Sequence, residues 1–274
     1  MRLKIGISPC PNDIFIFSGL ILGKVEGPDC ENPQWDFEFH DVETLNGLSQ
    51  RGKLDLLKIS YANYVFCSDQ YALLNCGGAL GRNCGPLLLT HAGVWDIQRP
   101  VYIPGEFTTA NFLFDFFAGK AYKKIFLPFD ELYEKLLSEK NSQGVVIHEK
   151  RFCYKDDGLN LIQDLGEYWE LRTSYPIPLG GVVYKKSWNS QIQNFSQYCE
   201  ALVRKSLHWA RQNVSEALIL CKEYSQSLSD EVIKAHIDLY VNDFSVDIGL
   251  EGTAAVEFFL KSQQNLRQAL ISRN

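Results

Sequence analysis

The sequence predicts an α/β fold of two lobes with a ligand cleft between them. Three observations carry this. Short apolar runs alternate with helical patterns in a βαβαβ rhythm up to about residue 90, and the rhythm restarts from about residue 93. A late apolar strand, Leu179–Lys185, then leads into a helical tail. Finally, 274 residues with 46% hydrophobic content can bury more than one core without disulfide or metal staples.

Leu3–Ile7 reads as a short strand. Asn12-Asp13 carries an N-cap signal, so a helix is expected over Ile14–Lys24. Trp35–Val42 alternates as a strand, and Glu43–Gly52 is a short helix closed by glycine. Leu54–Ser60 is a continuous apolar run of the buried, parallel kind. Tyr61–Cys67 follows as a helix, Tyr71–Cys76 as a strand, Gly77–Gly81 as a glycine-rich turn and Pro86–Thr90 as a strand. In the second half-pattern, Val101–Ile103, Lys124–Leu127 and Val145–His148 are strands. Between them lie a helix opened by Thr108-Thr109 and a second over Phe129–Glu139. Asp156-Asp157-Gly158 is a turn and Glu167–Arg172 an amphipathic stretch. Tail helices are expected over Ser190–Gln212, Ser215–Ser225, Ser229–Tyr240 and Gly252–Leu270. The expected lobes are therefore residues 1–92 with 179–274, and residues 93–178.

Composition narrows the function. Lys and Arg number 27 against 33 Asp and Glu, a net charge of −6, which argues against a nucleic-acid partner while leaving room for a small anionic ligand. No apolar run reaches the length of a membrane span. The opening MRLKIGISPCPND is broken by Ser8, Pro9 and Pro11, so neither a signal peptide nor a lipobox is expected. Eight cysteines occur without CxxC spacing, mostly in apolar segments, and read as reduced thiols of a cytoplasmic protein, not disulfides or zinc ligands. Nothing matches a phosphate loop, a dinucleotide fingerprint or a nucleophile elbow, and no cofactor or metal is expected.

Ligands of α/β sheets bind beyond the carboxyl ends of strands, and that rule selects a few positions. Ser8-Pro9-Cys10-Pro11-Asn12-Asp13 links the first strand to a helix N-terminus, either as a rigid turn or as an anion site. Lys58-Ile59-Ser60 ends the third strand, with Ser60 a helix cap, a cleft hydroxyl or both. Thr108-Thr109 stands at a helix start with the same two readings. His148 closes an apolar strand at the place Ser60 holds in the other lobe, which suits a general base near neutral pH, although many histidines are merely structural. His40, His91, His208 and His236 are weaker candidates, the last two because they fall on tail helices.

Taken together, Ser8–Asp13, Asp41–Asn46, Lys58–Ala62, Gly77–Gly81, Ile147–Phe152, Leu179–Gly181 and Tyr240–Ser245 resemble the 1,4-dihydroxy-6-naphthoate synthases of the futalosine route to menaquinone. The resemblance implies a type II periplasmic-binding-protein-like fold used for catalysis in the cytoplasm. It implies conversion of cyclic dehypoxanthine futalosine, a small-molecule carboxylate, to 1,4-dihydroxy-6-naphthoate with release of dihydroxyacetone, without metal or organic cofactor. His148 matches the family's base, Lys58, Ile59, Ser60, Thr108 and Thr109 match its ligand-binding segments, and Asn46 is expected to line the same cleft. Two other readings stay open on the residues alone: a chorismate dehydratase of the same pathway, and a solute-binding protein that captures a small anion.

Overall fold

In the computed structural model, which describes residues 2–26, 34–119 and 122–271, the chain builds two sheets, each covered on both faces by helices. The first lobe opens with β1 (Arg2–Ile7), α1 (Pro11–Ile21), β2 (Gln34–Phe39), α2 (Val42–Gln50) and β3 (Leu56–Ser60). A 3₁₀ turn over Tyr61–Phe66, β4 (Tyr71–Leu73) and β5 (Ala79–Gly81) follow. The second lobe comprises β6 (Leu87–Thr90), β7 (Val101–Ile103), α3 (Thr109–Ala118), β8 (Lys124–Phe126), α4 (Phe129–Ser138), β9 (Gln143–Val146), α5 (Lys150–Cys153), β10 (Asn160–Asp164) and α6 (Leu165–Thr173). The chain returns through β11 (Ile177–Lys185) to α7 (Phe195–Gln212), α8 (Val214–Tyr224), α9 (Asp230–Tyr240), α10 (Asp243–Val246) and α11 (Gly249–Ile271).

The first sheet has the order β2-β1-β3-β11-β4, with β5 also pairing β11. β1 runs parallel to β2 and β3, whereas β11 is antiparallel to β3. The second sheet has the order β10-β6-β9-β7-β8. Its strands show why both faces must be covered. Leu87, Leu89 and Val146 turn toward Leu132 and Leu136 of α4, while Leu88 and Val145 turn toward Phe112, Phe114 and Trp169 of α3 and α6. Among the described residues no helix is long and apolar enough to cross a membrane.

The structure departs from the sequence expectation in four places that matter for the site. α1 begins at Pro11, not Ile14, because proline is pre-organised for a first helical position that needs no N–H. Asp13 is thereby freed from capping. The chain crosses between lobes before β6, not at residues 92–93: Leu87–Thr90 pairs with β9 and β10 in the second sheet. An apolar strand pattern does not reveal which of two sheets it joins. Part of the glycine-rich turn, Ala79–Gly81, is a strand on β11. Finally, the tail is not confined to the first lobe. α7, α8 and α9 pack on α1, but Val256 and Phe259 of α11 enter the cluster around Phe112 and Trp169. The crossing itself is tight: a Cβ on Gly85 would lie 2.3 Å from the backbone of Gly166 at the start of α6.

Candidate functional site

Pro9 and Pro11 fix the loop between β1 and α1, and Asp13 in the first turn of α1 organises it. Its carboxylate accepts from the Ser8 hydroxyl at 2.7 Å, the Asn12 amide at 2.9 Å and Lys58 Nζ at 2.7 Å. Lys58, in β3, also donates to the carbonyl of Gly77 at 2.9 Å. Asp13 and Lys58 are 2% and 5% exposed, so each is the charge partner that makes burial of the other tolerable. Two of the three Lys58 donors are thus engaged in holding β1, β3 and the glycine loop together.

Ser60 ends β3. Its backbone N–H donates to Asn46 Oδ1 at 2.9 Å, and Asn46 Nδ2 donates to the Ser60 hydroxyl at 3.2 Å. The Ser60 side chain caps nothing in the turn that follows. A hydroxyl oxygen that accepts from Asn46 keeps its own hydrogen for another acceptor.

From the second lobe, the Thr108 hydroxyl caps α3 by accepting from Asn111 N–H and donates to the carbonyl of Gly105 at 2.9 Å. The Thr109 hydroxyl donates to the carbonyl of Leu179 at 2.8 Å and accepts from Ala62 N–H at 3.4 Å. Both hydroxyls are therefore structural anchors, one for the helix and one between lobes. What α3 offers a ligand is its own N-terminus: the first helical bond is Phe112 N–H to Thr108 O, so the N–H groups of Thr109 and Ala110 precede it. A second tie crosses between lobes where Glu43 of α2 accepts from Phe107 N–H at 3.0 Å. Burial raises the Glu43 pKa against the opposing effect of its hydrogen bonds. The ring of Phe66 meets Phe107 edge-on at 5.0 Å beside this tie.

His148 is not part of a strand, since β9 ends at Val146. It occupies the left-handed region, φ 56°, which an L side chain enters only when its surroundings hold it there. That conformation brings its Nδ1 to 3.5 Å from the Cys10 sulfur, joining the second lobe to the β1–α1 loop of the first. Phe129 meets the imidazole edge-on at 5.4 Å. Burial acts to lower the His148 pKa. The electrostatic interaction and hydrogen bond with the Cys10 sulfur, with Glu149 and Asp13, outweigh it and push the value up to about 9.

Lys58, Ile59, Ser60, Thr108, Thr109 and His148 line one cavity between the lobes, together with Asn12, Leu45, Ala110 and Leu179. Its volume of about 100 Å³ is small beside the roughly 300–1,000 Å³ usual for small-molecule sites. Asn46 does not line it. It is fully buried behind Ser60 and sets that hydroxyl, so its place is one layer back from the expected one. Cys84 also stands in the wall, and burial pushes its thiol up to about 12. Among the described residues no three His, Cys, Asp or Glu side chains converge as a metal would require.

Sequence reasoning missed two contributors. Cys10 was part of a recognised loop, but nothing in sequence places it against a histidine 138 residues away. His236 of α9 lines the cavity although its helix belongs to the tail. It is 1% exposed, and its ring lies nearly parallel to that of His148, with centroids 6.4 Å apart. The one available signal was its chemistry: a histidine within the apolar-periodic face Ile233, His236, Ile237, Tyr240.

Comparisons with known proteins agree on the class. The family model described as menaquinone biosynthesis matches residues 3–265. A curated 1,4-dihydroxy-6-naphthoate synthase of Streptomyces coelicolor is 39% identical over 265 residues, covering 94% of this chain and 91% of that protein. The crystal structure of protein AF1704 from Archaeoglobus fulgidus superposes with a TM-score of 0.89 at 25% identity, covering 98% of both chains. The alkanesulfonate-binding protein SsuA of Xanthomonas axonopodis superposes with a TM-score of 0.65 at 10% identity, over 97% of this chain and 94% of that one, and shares the fold alone.

Proposed function

The chain belongs to the menaquinone-biosynthesis family, built on the periplasmic-binding-protein-like fold, and on that premise we propose that the inter-lobe cavity is its active site with His148 as general base. The reaction is that of the naphthoate synthases: a carbon–carbon lyase converts cyclic dehypoxanthine futalosine to 1,4-dihydroxy-6-naphthoate and dihydroxyacetone. The observation that carries the site assignment is the meeting of His148 from one lobe with Cys10 of the other at the wall of that cavity. We read the protein as cytoplasmic, a reading supported by its biosynthetic family and by the seven described cysteines, all free thiols; Cys30 lies outside the described residues.

The chemistry follows from the groups present. His148 accepts a proton at Nε2 when Nδ1 carries the other hydrogen and donates it to the Cys10 sulfur. Cys10 then fixes tautomer and ring orientation, as a carboxylate does for other catalytic histidines. The proton comes from carbon beside a carbonyl. The C–H electron pair becomes a carbon–carbon double bond, and negative charge moves to the carbonyl oxygen. Breaking the bond to the sugar remnant lets the bicyclic part become aromatic, and the departing three-carbon fragment takes the proton back from the imidazolium. Substrate and the two products are isomeric in sum, so no oxidant, reductant or water is consumed. The carboxylate of the substrate fits the N-terminus of α3, and Ser60 offers a hydroxyl hydrogen to an oxygen of the ligand. Closure of the lobes keeps water from the intermediate.

The test is turnover of cyclic dehypoxanthine futalosine by the wild type and by His148→Asn, with product followed by mass. Removal of a general base costs about 10²–10⁴-fold in rate. Binding of 1,4-dihydroxy-6-naphthoate should survive the substitution. Near-normal turnover by the variant, or loss of binding equal to loss of rate, overturns the assignment.

A further inference from the structure

His236 is a polar residue where the fold asks for none. Both of its ring nitrogens are buried, and among the described residues neither has a hydrogen-bond partner. Burying an unpaired polar group costs about 1–3 kcal/mol, and native structures rarely leave such a group without a use. Its neighbours explain the cost only as packing. Tyr240, one turn further along α9, lies 4.6 Å away by ring centroid, and Phe152 of α5 lies 6.5 Å away. A phenylalanine would make the same contacts without stranded nitrogens. What distinguishes the position is that the ring lines the cavity beside His148, interplanar angle 23°. Two imidazoles thus stand against the same space, one held by a sulfur and one unengaged.

We propose that His236 is a second catalytic residue, donating a ring N–H to the substrate carbonyl oxygen that gains negative charge as His148 removes the neighbouring proton. The inference rests on the reading of the site given above. Burial and the adjacent His148 hold the His236 pKa well below its ordinary value, so the ring is neutral, with one donor and one acceptor. The donor serves the oxyanion, where a fixed hydrogen bond inside a dry cavity is worth most. The remaining nitrogen accepts from a hydroxyl of the sugar remnant. His148 and His236 divide the work: one ring takes the proton, and the other receives the charge it leaves behind.

The experiment compares wild type, His236→Phe and His236→Gln on cyclic dehypoxanthine futalosine. Phenylalanine keeps the packing and removes the donor. Loss of one oxyanion donor costs about 10²–10³-fold in kcat, with KM moving far less. Glutamine restores an N–H and should recover much of the loss at unchanged thermal stability. Wild-type turnover that His236→Phe leaves intact overturns this inference alone, whereas a wild type inert on this substrate overturns the underlying reading with it. Should His236→Phe fail to fold, the ¹⁵N ring resonances of wild-type His236 decide. They shift when 1,4-dihydroxy-6-naphthoate binds if the ring touches the ligand, and unchanged resonances overturn the proposal.

Discussion

With His148 as the proposed base, Cys10 is the group that tunes it. An isolated imidazole titrates near 6.5, and burial alone would move that down. The sulfur beside Nδ1 instead brings His148 to about 9, so the neutral base is scarce at pH 7 and accumulates as pH rises. The expected profile of kcat/KM climbs through the region above pH 7 toward about 9. Cys10→Ala removes the group that raises the value and leaves the burial that lowers it, so the rising limb moves to lower pH; a limb that stays in place shows that Cys10 does not tune the base. The expectation from sequence was a base near neutral pH shifted only by desolvation, and it fell short because the tuning group, Cys10, lies in the chain's first loop, 138 residues away. Ser60 and Thr109 were found on the cavity wall because they sit at a strand end and a helix start, positions that periodicity marks, with Lys58 two residues inside β3 and His148 two residues past the end of β9. Asn46 and His236 were harder to place for the reverse reason. Whether a helical residue faces a cavity or the layer behind it depends on how its helix is docked, which local pattern does not encode.

The elements themselves were largely readable, since alternation of apolar strands with capped helices is a local signal. Thr108 and Ser229 cap α3 and α9 where hydroxyls at helix starts suggested. Sheet membership was not, because β6 is apolar on both faces and would suit either lobe. The crossing that leads into β6 depends on a contact with no sequence signature. Gly85 and Gly166 lie against each other so closely that a side chain on either would strike backbone, not a yielding side-chain tip. Gly85→Ala should therefore cost about 1–3 kcal/mol as overpacking. Urea unfolding would show a lower midpoint at unchanged slope. A midpoint equal to wild type means that the crossing shifts freely, and the tight seat of α6 on this loop is then no constraint.

At the scale of the molecule, the lobes are tied over the cavity, among the described residues, by Glu43 to Phe107, Thr109 to Leu179 and Ala62, and His148 to Cys10. Glu43 is the one that lines no cavity wall, and its only link to the ligand's contacts is indirect, through Asn46 Nδ2, which donates to it at 3.1 Å and also sets the Ser60 hydroxyl. A hydrogen bond to a charged group contributes about 1.5–3 kcal/mol. Losing part of that toward the open form lowers the fraction of binding-competent protein and raises apparent dissociation constants in proportion, about tenfold for 1.4 kcal/mol. Glu43→Ala should raise KM about tenfold and enlarge the radius of gyration measured by X-ray scattering without ligand. If both stay at wild-type values, Glu43 is not a closing tie.

β11 has one more consequence, which concerns time. It is the strand between β3 and β4, and Gly180 pairs with Ser60, yet it is synthesised after every strand of the second sheet. As the chain leaves the ribosome, residues 87–164 supply every strand of the second sheet in one run, although its core still waits for Val256 and Phe259 of α11. The first lobe, although translated first, must wait with an open edge on β3 until residues 177–185 arrive. α9, which brings His236 to the cavity, arrives later still. The sheet begun first is the sheet completed last, and the cavity is closed only by the tail.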